Sequence, residues 1–213
     1  MSRMTVLVLA ALVLLSAAFA FARVARAIEQ ALYQVELADG AFELRRYAPR
    51  VVAEMSLPGS FEDVGNDAFG PLAAYIGGAN RTKASIAMTA PVTQESSSVE
   101  IAMTAPVTQE RDDASYRVCF VMPADQTLAT LPEPTDPRVV LREEPARMMA
   151  AVRYRGTWTE TRYRENLALL RAWIPAHGLA ETGGSPVWAR YDPPFMPWFL
   201  RRNEVLIEVE RAR

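Results

Sequence analysis

Histidine, lysine and cysteine are nearly absent from this chain of 213 residues, where each occurs once, as His177, Lys83 and Cys119. A metal site built on several histidines is therefore excluded, and a Ser-His-Asp or Cys-His catalytic arrangement would have to use His177 itself. A single cysteine cannot form an intramolecular disulfide. Because Cys119 lies in the apolar run 116–122, we expect a small buried hydrophobic residue there and not a reactive thiol.

The chain also lacks a surplus of positive charge. Residues 1–27 hold Arg3, Arg23 and Arg26 and no acid, and removing these three from the 23 basic residues leaves 20 against 25 acidic ones. Nucleic-acid phosphates need a basic face, so the acidic body argues against nucleic acid as the main partner. Half of the residues are apolar, which is enough for one domain with a real core.

Charge is absent from residues 5–22, which are rich in leucine and alanine and follow Arg3. This pattern is typical of a signal peptide, and the small-x-small site that ends at Ala27 predicts cleavage there. Eighteen residues of helix span roughly 27 Å, barely the thickness of a bilayer core, so an uncleaved membrane anchor is the alternative. A helix buried in the domain is the third reading. We expect export to the periplasm, or anchoring to the inner membrane facing it, with 28–213 as the folded domain.

The body carries an internal duplication. Residues 42–61 align with 139–158 at a constant offset of 97, with five identities. The identical pairs are Leu44 and Leu141, Arg45 and Arg142, Arg50 and Arg147, Ala53 and Ala150, and Gly59 and Gly156. In both segments two strand-like runs flank a short Pro-containing turn, and the period changes from 2 to 3.6 after the matched glycine. The domain therefore divides into pseudo-symmetric halves, at about 32–123 and 138–210.

Each half should contain one helix. We predict the first from about Phe61 to Ile76 and the second from about Thr159 to Ile174, each opened by a capping box. The boxes pair Ser60 with Asp63 and Thr157 with Glu160. The apolar stripe of the first helix is Phe61, Val64, Ala68, Leu72 and Tyr75, and Gly77 and Gly78 should end it. Pro175 and Gly178 should end the second.

Further strand-like runs follow each helix, and they are Ile86–Val92, Glu100–Val107 and Tyr116–Met122 in the first half and Pro186–Tyr191 and Asn203–Val209 in the second. Duplicated β-α-β-β units of this kind favour an α+β fold with a distorted, antiparallel, barrel-like sheet and the two main helices outside it. Ile86–Glu95 and Ile101–Glu110 are the same ten residues, IAMTAPVTQE, and predict a hairpin. Met88 and Met103 in them are candidate haem ligands, but core packing is the more common use of methionine.

These motifs resemble the SOUL haem-binding family over about residues 32–210. The resemblance rests on five pieces in order, which are Phe42–Tyr47, Tyr75–Asn80, the IAMTAPV segments, Phe120–Pro123, and Ala189–Phe195 followed by Arg201–Val205. The repeated IAMTAPV is similar to bacterial members. The resemblance implies a pseudo-symmetric α+β barrel-like fold that binds haem or a related tetrapyrrole without catalysis, as a carrier or buffer, and no other tightly bound metal.

In better-described animal members of that family, haem lies between the first helix and the loop around the YDPP motif. Carried over, the pocket wall is Phe69, Ala73, Tyr75, Phe195 and Met196, with Arg201 at the rim. Those members carry methionines and a lysine on the helix, and a basic residue at the position of Met196, so the source of charge for the haem propionates is open here. The alternative is that the aromatic residues of 193–199 seal a barrel end.

Two other functions stay open. A general hydrophobic small-molecule effector-binding domain is the main alternative, because bacterial effector-binding proteins have a similar duplicated architecture. An enzyme is the third reading, but Glu43, Glu54, Glu143 and Glu144 show no acid–base spacing. The metal ligand, if any, is unknown. His177 follows the second helix and should be an exposed turn residue, which leaves Met88, Met103, Met196 or Tyr75 as weak axial ligands.

Overall fold

The structure is a computed structural model, and it describes residues 29–82, 98–112 and 115–212. Within them the chain forms fourteen strands and two helices. The first half holds β1 (Glu29–Gln30), β2 (Tyr33–Asp39), β3 (Phe42–Tyr47), β4 (Arg50–Leu57), α1 (Val64–Ile76), β5 (Asn80–Arg81), β6 (Thr104–Ala105), β7 (Val107–Asp112) and β8 (Ser115–Val121). The remainder holds β9 (Glu133–Pro134), β10 (Val140–Glu144), β11 (Arg147–Arg155), α2 (Glu160–Ala176), β12 (Leu179–Glu181), β13 (Val187–Arg190) and β14 (Arg202–Arg211).

Ten of these strands form one sheet, in the order β10-β4-β8-β7-β13-β14-β11-β3-β2, with β12 also paired to β14. Neighbouring strands in it are antiparallel. The sheet curls into a half-barrel. The predicted α+β fold with a barrel-like antiparallel sheet is confirmed.

The two halves exchange one strand each. Strand β3 of the first half pairs with β11 of the second, and β10 of the second pairs with β4 of the first. Leu44 lies opposite Ala150 in one pairing, and Leu141 lies opposite Ala53 in the other. Residues 97 apart thus make reciprocal contacts with the same register, as a duplicated unit with two-fold pseudo-symmetry requires. The matched segments of the two halves lie in one shared sheet.

Both helices pack on the outer face of the sheet. Helix α1 covers β4 and β8, and α2 covers β11, β12 and β14. Each helix has its own apolar core, and a third core lies on the inner face of the sheet. Cys119 belongs to this inner core, where burial raises the pKa of its thiol. The prediction of a buried, hydrophobic cysteine is confirmed.

The matched glycines stand at equivalent places before the helices. Gly59 and Gly156 have φ angles of +152° and +139°, a region that L side chains rarely adopt. The Ser60 hydroxyl accepts a hydrogen bond from the Asp63 amide, as predicted, but it closes a turn over 61–63. Helix α1 itself therefore begins three residues later than predicted, at Val64.

The predicted N-cap residue of the second helix is wrong by two positions. Thr159, and not Thr157, is the N-cap, and its side chain accepts from the Arg162 amide. Pro175 does not end the helix either, because it lies inside the last turn, and the helix continues to Ala176. A turn through His177 and Gly178, the latter with a φ of +67°, follows it.

Several strands differ from the prediction. Glu100–Met103 forms no strand, and pairing with β8 begins at Val107 instead. Ile86–Val92, Met88 and Lys83 lie outside the described residues, as does the predicted signal or anchor segment. Strand β2 was not predicted. Among the helices that the structure describes, none combines the length and apolarity needed to cross a membrane.

A buried ion pair joins the halves on the inner face. Arg45 of β3 and Glu204 of β14 are 1% and 0% exposed, and two hydrogen bonds of 2.6 and 3.0 Å connect them. Tyr191 and Arg202 also donate to the carboxylate. Burial alone would raise the pKa of Glu204, but the Arg45 bonds and the charges of Arg45 and Arg202 outweigh it and hold the pKa at about 2.

We predict that Glu204→Gln lowers the free energy of unfolding at pH 7 by about 3–5 kcal/mol, because the buried Arg45 would keep only Glu43 as a counter-charge and Arg202 would lose its carboxylate partner. A folded-state pKa of about 2, below the ordinary 4.5, means that the carboxylate stabilises the fold fully above pH 4.5. That stabilisation is lost as the pH falls toward 2. Urea unfolding of both proteins measures it.

The matched control for this experiment is Glu160→Gln, which removes a carboxylate from an exposed pair with Arg164 on α2. It should change the free energy of unfolding little. The difference between wild type and Glu204→Gln should shrink below pH 4.5. A difference that is constant from pH 7 to pH 2.5 would show that the charge of Glu204 is not what stabilises the fold.

Candidate functional site

One flank of α1 carries two of the residues predicted from the sequence, Phe69 and Ala73. They are four positions apart and therefore share one face of the helix. Phe69 is 40% exposed, and its ring meets the edge of Phe120 from β8 at 5.4 Å. Ala73 is half-buried. This face of α1 offers an aromatic ring and a small residue above the outer face of the sheet.

Tyr75 faces the other way. It is 1% exposed, packs in the core beneath α1, and donates its hydroxyl to the carbonyl of Pro132 at 3.0 Å. Burial raises the pKa of this phenol to about 12. As a contact for a ligand Tyr75 stays a prediction, and the enclosed ring makes it the least accessible residue of the predicted set.

The remaining predicted residues belong to the loop between β13 and β14, which we call the closing loop (residues 191–201). Arg201 holds it in shape, because Nε donates to the carbonyl of Met196 at 2.8 Å and Nη2 to that of Pro194 at 2.6 Å. The Arg201 guanidinium also lies 4.2 Å from the ring centre of Trp158. Two of its five N–H donors are used within the loop.

The apolar side chains of this loop point outward. Phe195 is 73% exposed, and Trp198, Phe199 and Leu200 are each about half exposed. Met196 alone is buried. Four large apolar residues exposed in one short loop are unusual for a soluble surface and mark an interaction site. The structure therefore does not support the alternative that these side chains seal the end of the barrel.

Sequence reasoning missed Arg190, the residue that brings α1 and the closing loop together. Arg190 is the last residue of β13, and its guanidinium lies 4.0 Å from the ring centre of Trp188 and 4.9 Å from that of Trp158. A Cβ at Gly65 in the first turn of α1 would lie 2.9 Å from its terminal nitrogens. The motif Ala189–Phe195 contains Arg190, but nothing in the sequence shows that its charge is enclosed.

The predicted residues thus form two groups. Phe195, Met196 and Arg201 come together in the closing loop, and Phe69 and Ala73 share a face of α1. The two groups are connected through Gly65 and Arg190, since Arg190 lies against Gly65 of α1 and shares the Trp158 ring with Arg201. No cluster of three or more His, Cys, Asp or Glu suited to a metal ion occurs in the described part of the chain.

A separate cleft of about 520 Å³ opens elsewhere, between the β3–β4 turn, the end of β8 and the β10–β11 turn. Its lining includes Ala48, Val51, Val121, Met122 and Thr127. It is large enough for a small organic ligand. None of the six residues predicted for the tetrapyrrole site lines this cleft.

Two of the carboxylates at or near this cleft are neutralised. Glu144 is buried and pairs with Arg50 and Arg147, and Glu54 pairs with Arg142. Burial would raise the pKa of Glu144, but the charges of Arg50 and Arg147 lower it. Glu143 also lines the cleft, where it is exposed and makes no ion pair in the described part of the chain, so the cleft keeps one free negative charge.

The fold and the site define a class, which is a duplicated α+β half-barrel with an exposed apolar loop beside arginines. A family described as SOUL heme-binding protein matches residues 28–208. The chain therefore belongs to the SOUL haem-binding family. Heme-binding protein 1 of Xenopus tropicalis is 27% identical over 169 residues, which are 78% of this chain and 83% of that protein.

Solved structures with the same fold include the C-terminal domain of EcmrR, with a TM-score of 0.58 and 14% identity over 85% of this chain and 99% of that one. A hydrolase from Listeria innocua has a TM-score of 0.54 and 13% identity over 82% and 94% of the two chains. At these identities the likeness shows the shared fold alone.

We predict that Arg201→Ala loosens the closing loop, because the carbonyls of Met196 and Pro194 lose their donor and Trp158 loses the closer of its two arginine contacts. Backbone amides of residues 193–200 should exchange with deuterium about 5–30-fold faster, as the loss of about 1–2 kcal/mol of local stability implies. Arg171→Ala, which removes an exposed pair with Glu181, is the control. Equal exchange in wild type and Arg201→Ala would contradict the assigned role.

Proposed function

We propose that this protein binds haem or a related tetrapyrrole without catalysis, as a carrier or buffer, between α1 and the closing loop. The observation that carries the proposal is the exposure of Phe195, Trp198, Phe199 and Leu200 in the closing loop. A tetrapyrrole is a large flat apolar ligand, and its burial would cover these side chains at a gain of roughly 25 cal/mol per Å² before association costs.

The residues present fit the chemistry of the ligand. Phe69 and the loop aromatics offer rings for stacking on a macrocycle, Arg190 offers positive charge for its carboxylates, and Arg201 holds the loop that carries the aromatics. Membership of a haem-binding family supports the same ligand class. A tetrapyrrole supplies redox and light-absorbing chemistry when bound, whereas the residues of this site bind and orient it.

His177 is not required for this binding. Its Nδ1 donates to the carbonyl of Trp173 at 2.9 Å, its ring stacks on Trp173 at 4.1 Å, and Nε2 lies 3.7 Å from Asp39. It is exposed in the turn after α2, as predicted. Binding without histidine depends on apolar burial and on salt bridges, so we expect moderate affinity and an exchangeable ligand.

The second candidate function is binding of a hydrophobic small-molecule effector, and the 520 Å³ cleft is the observation that favours it. Because Glu144 is paired with arginines and Glu143 lines the cleft without an ion pair among the described residues, such an effector would be neutral or carry one positive charge. Ala48 is exposed at the cleft and lies outside the cores. Ala48→Glu therefore places a charge in the cleft without disturbing the fold, and it separates the two sites.

We further propose that residues 1–27 direct export, so that the domain works in the periplasm or on the periplasmic side of the inner membrane. The support is the uncharged run 5–22 after Arg3. Cell fractionation with mass spectrometry of the amino terminus tests it. Cleavage after Ala27, or retention with the membrane fraction, is expected, and a soluble cytoplasmic chain with an intact amino terminus would contradict it.

In a haem titration followed by the Soret band, we predict that wild type binds and that His177→Ala binds equally well. Phe195→Asp and Ala73→Glu should each weaken binding about 10-fold or more, because an unpaired charge would be enclosed against the macrocycle. Ala48→Glu should have no effect. If Ala48→Glu weakens binding while Phe195→Asp does not, the ligand lies in the cleft. If His177→Ala is the only variant that loses the Soret shift, both the proposed site and the proposal of binding without histidine are wrong.

A further inference from the structure

Arg190 lies in the middle of a row of paired residues on the outer face of the sheet. From β8 to β11 the row runs Phe120, Val107, Arg190, Asn203 and Tyr154. Side chains paired across neighbouring strands lie on the same face of a sheet. Phe120 and Val107 belong to the core under α1, and Tyr154 to the core under α2. Arg190 therefore places its charge at the seam between two apolar cores.

This charge has no counter-ion. No ion pair or hydrogen bond to the Arg190 guanidinium occurs in the part of the chain that the structure describes, and its Nη2 is a buried atom without a partner. Burial lowers the pKa of Arg190 to about 10, a fall that Tyr154 opposes and the nearby Arg201 increases. The stacking on Trp188 and Trp158 offsets part of the burial cost, but it leaves the N–H donors unused.

Two further groups on this face lack a partner. The indole N–H of Trp188 and the hydroxyl of Tyr154 are buried without one. Burial raises the pKa of Tyr154, and the neighbouring Trp188 indole opposes this rise, although the two groups do not form a hydrogen bond of good geometry. By contrast, Asn203 in the same row is satisfied by Trp158 and by the carbonyl of Gly156. The unused groups are thus concentrated around Arg190.

Arg201 was predicted from the sequence to be the charged contact at the rim of the pocket. In the structure its side chain holds the closing loop instead. Its Nε and Nη2 donate to two carbonyls of the closing loop. A ligand that recruited those donors would have to break the loop's own hydrogen bonds. Arg190 requires no such exchange, because its donors are unused and the residue is half-buried and not sealed.

We propose that Arg190 is the anion-binding residue of the site, taking a carboxylate of an apolar ligand that lies between α1 and the closing loop. This inference rests on the proposed function and names the part of the ligand that the site recognises. Gly65 is a positioning residue in it, because any side chain there would displace the guanidinium from beneath α1.

The test compares protoporphyrin IX, which has two carboxylates, with its dimethyl ester, which has none. Both are titrated into wild type, Arg190→Gln and Arg201→Gln, with binding followed by tryptophan and porphyrin fluorescence. Wild type should bind the acid about 10–100-fold more tightly than the ester, as a charge-assisted hydrogen-bonded pair implies. Arg190→Gln should lose this preference by weakening acid binding alone. Arg201→Gln should retain a preference of at least 10-fold.

The outcomes separate the two proposals. Equal affinity of wild type for acid and ester would overturn the role of Arg190 while leaving tetrapyrrole binding intact. The role of Arg190 would also be overturned if Arg201→Gln, and not Arg190→Gln, lost the preference for the acid. Failure of wild type to bind either compound would contradict the proposed function itself. Gly65→Ala is the second variant, used if Arg190→Gln does not fold. It should reduce the acid preference and leave ester binding unchanged, and an unchanged preference would overturn the proposal.

Discussion

The exchange of β3 and β10 between the two halves is the constraint on which the rest of this structure depends. Because β3 completes the sheet of the second half and β10 that of the first, neither half has a complete sheet of its own. The reciprocal register of Leu44 with Ala150 and Leu141 with Ala53 keeps the exchange symmetric. The Arg45–Glu204 pair then joins the exchanged strand to β14 across β11 on the inner face.

A seam on the outer face follows from this arrangement. The two helices cover the two ends of the sheet, so the middle strands β7 and β13 are flanked by two cores and belong fully to neither. Arg190 lies on that seam, beside the point where the closing loop leaves the sheet. A duplicated fold thus produces a place where an apolar wall and an enclosed positive charge adjoin, which is the combination that a carboxylate-bearing macrocycle needs.

Much of the fold could be predicted from the sequence, because the change of period after Gly59 and Gly156 is a local signal that both halves repeat. The exchange of strands could not be, since it depends on contacts between residues about a hundred positions apart. The Thr159 cap was missed because threonine stands at both 157 and 159, and only the backbone decides which hydroxyl meets an amide.

At the candidate site, too, some features could be predicted from the sequence and others could not. Tyr75 fell both in the apolar stripe of the first helix and in the pocket implied by the family, and the structure agrees with the stripe. Phe195 and Arg201 were identified from the YDPP motif and do lie in one loop. Arg190 belongs to that motif too, but whether an arginine is paired is decided by neighbours from β11, α1 and the turn before α2, which no local pattern reveals.

We propose that a tetrapyrrole lies between α1 and the closing loop. The most direct test is to grow crystals of the haem complex and locate the iron by its anomalous scattering. The iron should lie between Phe69 and Phe195, with a propionate directed to Arg190. An iron peak in the cleft beside Ala48 and Met122 would contradict the account.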